Sequence, residues 1–333
     1  MAKQAETLLK IDDLRTSFFT RDGVINAVDG MSMEIRAGES VGIVGESGCG
    51  KSMTAMSVMG LVKKPGRVTN GAIDFDGENL LKIKEKEHRA IIGNRISMIF
   101  QEPMTSLNPV ITVGRQVSEV LLLHDKGMTK EQAKKRVIDV FQQVGIPDAE
   151  KRYSVYPHQL SGGLRQRVMI AMAMACKPQL LIADEPTTAL DVTIEAQILH
   201  LMRDLQRETG TSVMMITHNL GVVAQFCDRM YVLYAGQVME CGTVQEVFSH
   251  VCHPYTDGLL RSIPRMDSDG RLYSIHGMVP NMLALPRGCR FCPRCEHSCQ
   301  RCFEETPALY EVSPGHTVRC FLYEPGAESE EVK

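Results

Sequence analysis

Eight consecutive residues, Gly45-Glu46-Ser47-Gly48-Cys49-Gly50-Lys51-Ser52, constrain this 333-residue chain more than any other feature. They fit the pattern G-x-x-x-x-G-K-[ST]. In that pattern glycines let backbone N–H groups close around a β-phosphate, the lysine reaches the β/γ oxygens, and the hydroxyl ligates Mg2+. The apolar run Ser40–Val44 ahead of the motif and a helix-like stretch behind it supply the strand–loop–helix context the chemistry requires. A nucleoside triphosphate with Mg2+, held on an α/β fold, is the expected ligand class.

A second apolar run, Leu180-Leu181-Ile182-Ala183, ends in Asp184-Glu185. An aspartate at a strand tip can hold Mg2+, and a glutamate one residue on can polarise an attacking water. Ser212–Ile216 is a further uninterrupted apolar strand, separated from the previous one by a helical stretch over Asp191–Arg207. Strand, helix and strand with fully apolar strands predict a buried parallel sheet. Residues 112–177 read as helical: Val137, Val140, Phe141 and Val144 share one face, and Gly145-Ile146-Pro147 stops that helix. Early β-like runs are Ile25–Ile35 and Ala72–Phe75, and Ile96–Phe100 is a short strand.

Further elements narrow this generic nucleotidase. Leu160-Ser161-Gly162-Gly163-Leu164-Arg165-Gln166 resembles the signature of ABC-type ATPases: a polar, glycine-rich helix start whose free N–H groups suit a γ-phosphate. Gln101 resembles the Q-loop glutamine, Ala189-Leu190-Asp191 the D-loop, and His218 the switch histidine. Phe18 stands where that family stacks adenine, with Phe19 as competitor. More narrowly, Gln101–Pro109, Tyr156-Pro157-His158-Gln159, Asp184–Thr193 and His253-Pro254-Tyr255-Thr256 are similar to the oligopeptide/dipeptide importer ATPases.

The resemblance implies an α/β P-loop NTPase of the ABC type, with a RecA-like core, an antiparallel β subdomain, a helical subdomain and a Cys-rich C-terminal extension. The expected boundaries are 1–255 for the ATP-binding domain, with the helical subdomain over about 102–177, and 256–333 for the extension. It further implies that Gly45 to Ser52, Gln101 and Asp184 hold ATP and Mg2+, and that Glu185, His218 and Gln101 serve hydrolysis. Ser161, Gly162, Gly163 and Asp191 would close the site of a second ATP-binding subunit, a paralogue or an identical copy. Two transmembrane permease subunits and an extracytoplasmic solute-binding protein would complete an importer of di- or oligopeptides or a related solute. The chain would then sit peripherally on the cytoplasmic face of the inner membrane.

Composition agrees with such a role. The net charge is −3, with 23% charged and 44% hydrophobic residues, which excludes a generally basic nucleic-acid binder. The start MAKQAETLLKIDDL has no apolar h-region, so no secretory signal is expected, and no apolar run is long enough to cross a bilayer. DNA-repair ATPases of the ABC type carry long coiled-coil insertions between the phosphate loop and the signature. Here only about 110 residues separate the two, without sustained heptads. Ribosomal types carry two cassettes per chain, and one is present.

Eleven cysteines are unusually many, and six of them fall between Cys289 and Cys320. In a reducing compartment such a cluster reads as a metal site before a disulfide framework. The family resemblance implies a [4Fe–4S] cluster on Cys289, Cys295, Cys302 and Cys320. Spacing offers a second quartet, Cys289, Cys292, Cys295 and Cys299, which matches a ferredoxin run without its proline. Zinc is the alternative metal. A third function class follows from the same cysteines, a redox sensor gating ATP hydrolysis. Arg287, Arg290, Arg294 and Arg301 are expected either to offset thiolate charge, to meet lipid headgroups or acidic loops, or to form a solvated basic patch. Cys49 reads as a small loop filler, and Cys176, Cys227, Cys241 and Cys252 as packing residues.

Overall fold

The computed structural model describes residues 6–101, 106–188, 190–263 and 273–326. The chain divides into two compact units. One comprises Met1–Thr7, Ile35–Ser40 and Lys82–Met215, the other Leu8–Glu34, Val41–Leu81 and Ile216–Lys333.

The first unit carries helices Val113–His124, Lys130–Gln143, Gly162–Met174 and Val192–Thr209. Lys130–Gln143 begins at a capping box in which the Thr129 hydroxyl and the Gln132 side chain satisfy each other's orphan N–H groups. It buries Ala133, Val137, Val140 and Phe141, and Val144 follows them into the core. Lys134, Lys135 and Asp139 face solvent, as the helical spacing predicts. Gly145, at φ 70°, ends the run in a conformation that costs glycine little. Three strands, Ser212–Ile216, Leu180–Asp184 and Ile96–Ile99, lie side by side in that order. The last two are parallel, with Ile96 opposite Leu180, and every residue in all three is buried. The expected strand over 96–100 stops one residue short, because Phe100 is already outside the ladder.

The second unit holds two sheets. One is four-stranded, in the order Gly23–Arg36, Thr7–Thr20, Gly66–Phe75, Glu78–Asn79. The other contains Ser40–Val44, fully buried and parallel to Arg229–Tyr234, which turns through Ala235-Gly236 into the antiparallel strand Gln237–Thr243. Strands His316–Val318 and Tyr310–Ser313 extend this sheet on the far side of Gln237–Thr243, each antiparallel to its neighbour. Among the described residues no helix is long and apolar enough to cross a membrane.

Between these strands and the cysteine-rich end lies helix Pro254–Arg261, capped by His253, whose Nδ1 accepts from the Tyr255 N–H at 3.0 Å. His253 is fully enclosed and lies against the Phe291 ring at 5.8 Å. Burial holds its pKa down to about 3, partly offset by a hydrogen bond to the Arg319 backbone. The unfolded histidine takes up a proton near pH 6.5, whereas the folded one stays neutral to far lower pH, so stability is complete above pH 6.5 and falls as the pH drops toward 3. Urea titrations of wild type and His253→Asn, which keeps a capping acceptor, are expected to diverge by about 1.4 kcal/mol per pH unit between pH 6 and 4. Parallel pH profiles would show that His253 ionises freely in the native protein.

A candidate nucleotide site and a cysteine-rich segment

Strand Ser40–Val44 delivers the chain into the loop 45–50, and helix Lys51–Val58 receives it. Two glycines are dictated by close backbone approach. Gly45 is at φ 148°, where a Cβ would collide with the Leu233 carbonyl oxygen, and Gly50 is at φ 105°, where one would collide with the Ala27 carbonyl oxygen. Gly48, at φ 78°, has open space around it. Lys51 is 6% exposed, and its Nζ donates to the carbonyls of Gly45 at 2.6 Å and Glu46 at 3.0 Å. An ammonium group is thus held inside a ring of backbone, where a phosphate oxygen can replace the carbonyls. Ser52 opens the helix beside it. Cys49 is buried, and burial pushes its thiol pKa up, so it stays protonated and packs as the sequence suggested.

Elsewhere in this unit, Phe18 is half-buried with its ring over Gly66, whereas Phe19 is exposed with Arg67 stacked on it at 4.5 Å. His218 is exposed directly after Thr217, whose N–H donates to the Ile43 carbonyl at 3.2 Å. Asn219 then caps helix Leu220–Phe226.

In the first unit, Asp184 ends its strand nearly inaccessible, at 3% exposure. Glu185 follows at φ 47°, a left-handed conformation uncommon for a residue with a Cβ. Its Oε2 accepts from Gln101 Nε2 at 3.0 Å and from Thr188 Oγ1 at 2.8 Å. The structure therefore brings Gln101 and Glu185 together although 84 residues separate them. Thr188 is a partner that the sequence gave no reason to single out. Ser161 caps helix Gly162–Met174, accepting from the Leu164 N–H, and stands exposed with Gly162. Asp191 caps helix Val192–Thr209 through the Ile194 N–H at 2.9 Å, so the helix starts one residue after the expected Asp191. Ala189 and residues 102–105 lie outside the described residues.

All six clustered cysteines belong to the second unit, and none of the eleven forms a disulfide. Cys289 and Cys292 are buried, Cys295, Cys302 and Cys320 are half-buried, and Cys299 is exposed, with its Sγ 3.5 Å from that of Cys302. Burial and then the neighbouring thiols Cys289, Cys295 and Cys302 push Cys320 up to about 12. Burial likewise raises Cys292 and Cys295 to about 11, with Cys289 and Cys302 adding to it.

Two of the four arginines of this segment, Arg290 and Arg294, do not join the solvated or lipid-facing patch considered from sequence. Arg290 is buried and paired with Asp29 and the Ala235 carbonyl, and Arg294 grips Glu46 with both terminal nitrogens, at 2.6 and 3.0 Å. Arg301 pairs with Glu305 and Glu324. Arg290 and Arg294 have carboxylate partners, Asp29 and Glu46, that sequence distance hides, whereas Arg301 has one only four residues on, and Arg287 is exposed.

One further group was not legible in the sequence. Glu240, Cys252 and His316 are all buried, and their ligand atoms lie within 4.8 Å of one another. Both Glu240 oxygens already accept hydrogen bonds, from the N–H groups of Cys252 and His253 and from His316 Nε2. A buried carboxylate satisfied in this way braces the strand Gln237–Thr243 to its neighbours without needing a metal.

Comparison with known proteins agrees with this geometry. Residues 28–188 match the family model of ABC transporters, and residues 239–302 match that of the oligopeptide/dipeptide transporter C-terminal region. The oligopeptide transport ATP-binding protein AppD of Bacillus subtilis is 52% identical over 97% of this chain and 99% of its own length. OppD of Salmonella typhimurium is 51% identical over 95% of this chain and 94% of its own, and the dipeptide transport ATP-binding protein DppD of Lactococcus lactis 49% over 97% and 93%. Among solved structures, the dimeric post-hydrolysis state of the ATP-binding cassette MJ0796 with ADP and Pi superposes with a TM-score of 0.65 at 29% identity. It covers 71% of this chain and 99% of that one. With an ABC cassette fold, a phosphate loop built on close-approach glycines and half its residues in common with these relatives, the chain belongs to the family of ATP-binding subunits of oligopeptide/dipeptide ABC transporters.

Proposed function

We propose that this protein is the ATP-hydrolysing subunit of an importer of di- or oligopeptides or a related small solute. The observation that carries the reading is the phosphate loop around Lys51, in a chain about half identical, over nearly its whole length, to peptide-transport ATP-binding proteins. Backbone N–H groups of residues 45–51 and the Lys51 ammonium bind the β/γ-phosphates, and Phe18 stacks on adenine. Ser52 and Asp184 hold the Mg2+ that accompanies ATP, which neutralises charge on the transferring phosphoryl group. Glu185 polarises the attacking water, and Gln101, already bonded to it at 3.0 Å, orients that carboxylate. His218 contacts the γ-phosphate. Ser161, Gly162, Gly163 and Asp191 act on the nucleotide of a second ATP-binding subunit, their helix start presenting free N–H groups. Closure around two nucleotides drives two permease subunits at the cytoplasmic face of the membrane, with substrate delivered by an extracytoplasmic solute-binding protein.

The extension from residue 256 belongs to this reading as the carrier of a [4Fe–4S] cluster on Cys289, Cys295, Cys302 and Cys320. Two features of the donor set support the assignment. Cys320 lies within electrostatic reach of the other three, and each of these thiols resists ionisation unless a cationic core offsets the charge. Four thiolates also suit zinc, which is the alternative occupant of the same residues. Bound on Cys289, Cys295, Cys302 and Cys320, the [4Fe–4S] cluster would serve a structural rather than an electron-transfer role.

Glu185→Gln in the assembled transporter is expected to lower phosphate release at least about a hundredfold, the usual minimum for a positioned base, with ATP binding retained. Wild-type release would remove Glu185 from the mechanism. Protein purified anaerobically is expected to be brown with about four irons per chain. Serine at Cys289, Cys295, Cys302 or Cys320 should bleach it, while serine at Cys292 or Cys299 should not. Colourless protein carrying zinc would overturn the cluster.

A further inference from the structure

Outside the residues that face nucleotide, the strongest unexplained feature of the second unit is the way the cysteine-rich segment reaches back to the phosphate loop. We propose that Arg294 is a positioning residue for ATP binding: it fixes and neutralises Glu46 inside the phosphate loop, so that the segment 289–295 sets the affinity of the nucleotide site.

Glu46 is the first residue after Gly45, and all of its polar groups are engaged. Its N–H donates to Tyr255 Oη at 2.9 Å, its carbonyl accepts from Lys51 Nζ at 3.0 Å, and its carboxylate takes the two terminal nitrogens of Arg294. Tyr255 is fully buried on helix Pro254–Arg261, and Arg294 lies in the short turn Cys292–Arg294 between clustered cysteines. Glu46 is therefore held by Lys51 and the Cys49 N–H from within the loop, and by Tyr255 and Arg294 from far along the chain.

Arg294 is itself immobilised. Its side chain is 5% exposed, Nε donates to the His276 carbonyl at 2.9 Å, and Nη1 also reaches Tyr234 Oη at 3.3 Å. The guanidinium lies 5.8 Å from the Tyr234 ring and 5.9 Å from that of Phe291. A bidentate arginine so enclosed has little rotamer freedom left to lose and fixes a carboxylate in orientation as well as in charge. Four residues earlier, Arg290 holds the Ala235 carbonyl and Asp29, while the next residue, Gly236, donates its N–H to the Cys49 carbonyl at 2.8 Å. Two arginines on either side of Cys292 thus brace the loop near both of its ends.

The consequence for ATP is electrostatic as well as geometric. A triphosphate entering residues 45–51 approaches a carboxylate at Glu46. Paired with Arg294, that carboxylate is neutralised; unpaired, it repels the ligand and is free to swing into the cradle.

The inference rests on residues 45–52 being the phosphate cradle, and the test separates the two. Full-length protein is titrated with trinitrophenyl-ATP and Mg2+, and KM and kcat for ATP are measured in the assembled transporter, with melting temperature reporting the folded state. Arg294→Met is expected to weaken nucleotide binding about tenfold and raise KM in step, with kcat within about twofold, the size expected for losing one charge-assisted bidentate pair. Arg294→Lys, which keeps the charge without the fork, should lose about threefold, and it decides the matter if the methionine variant does not fold. Adding Glu46→Gln to Arg294→Met should recover most of the affinity, because the unmatched charge is gone. A purely structural role for Arg294 would give no such recovery. Wild-type affinity in both Arg294 variants, or no recovery in the double variant, overturns the proposal. If Lys51→Ala also binds as wild type, it is the phosphate cradle that fails; if Lys51→Ala loses binding while Arg294 variants keep it, only Arg294 does.

Discussion

The close approach of three backbone segments around residues 45–51 is the constraint on which the second unit depends. The Leu233 carbonyl leaves no room for a Cβ at Gly45, the Ala27 carbonyl leaves none at Gly50, and the Gly236 N–H reaches the Cys49 carbonyl at 2.8 Å. Those contacts come from strand Gly23–Arg36, from strand Arg229–Tyr234 and from the turn that follows it into Gln237–Thr243. A loop held from both sides by other backbone keeps its N–H groups preorganised, so little ordering remains when a phosphate arrives.

The cysteine-rich end is tied into the same framework. Strands His316–Val318 and Tyr310–Ser313 continue the sheet beyond Gln237–Thr243, and the buried Glu240 carboxylate fastens His316 and the Cys252-His253 backbone to that strand. From this anchored base the segment 289–295 returns to the loop. Tyr234 meets Tyr255 and Phe291 edge-on, with ring centroids 4.7 and 5.3 Å apart, and the Arg294 guanidinium lies against the rings of Tyr234 and Phe291.

Much of this was legible in the sequence, because local pattern and chemistry coincide there. Ser40–Val44 and Ser212–Ile216 are strands at their expected bounds, since short, largely apolar runs bounded by turn signals suit a strand buried on both faces. The face Val137, Val140, Phe141 and Val144 is buried as its spacing required. Asp191 and Ser161 cap helices because their side chains satisfy N–H groups two or three residues ahead, a purely local effect. Partnerships between distant residues were not legible. Nothing in the spacing of Arg294 and Glu46, 248 positions apart, or of His316 and Glu240, 76 apart, identifies them as pairs. A buried arginine and a solvated one read alike in a sequence; what decides between them is whether the fold supplies a carboxylate to offset the cost of leaving water. Here it supplies Asp29 and Glu46, so that two of the four arginines become members of ion pairs.

Enclosed pairs of this kind contribute little to net stability, because desolvating both charges offsets most of their attraction. Removing one partner is another matter, since it leaves the other charge buried alone. At Asp29 the stranded charge would face Arg15 as well, 2.8 Å away, and so keep a partner. At Glu46, among the described residues, the hydrogen bonds to the carboxylate come from Arg294. The two arginines therefore differ in what they protect. Arg290 braces a turn whose Asp29 carboxylate is shared with Arg15, whereas Arg294 pairs with a negative charge inside the proposed phosphate loop. The link between the cysteine-rich end and the nucleotide is thus a matter of ligand affinity more than of fold stability.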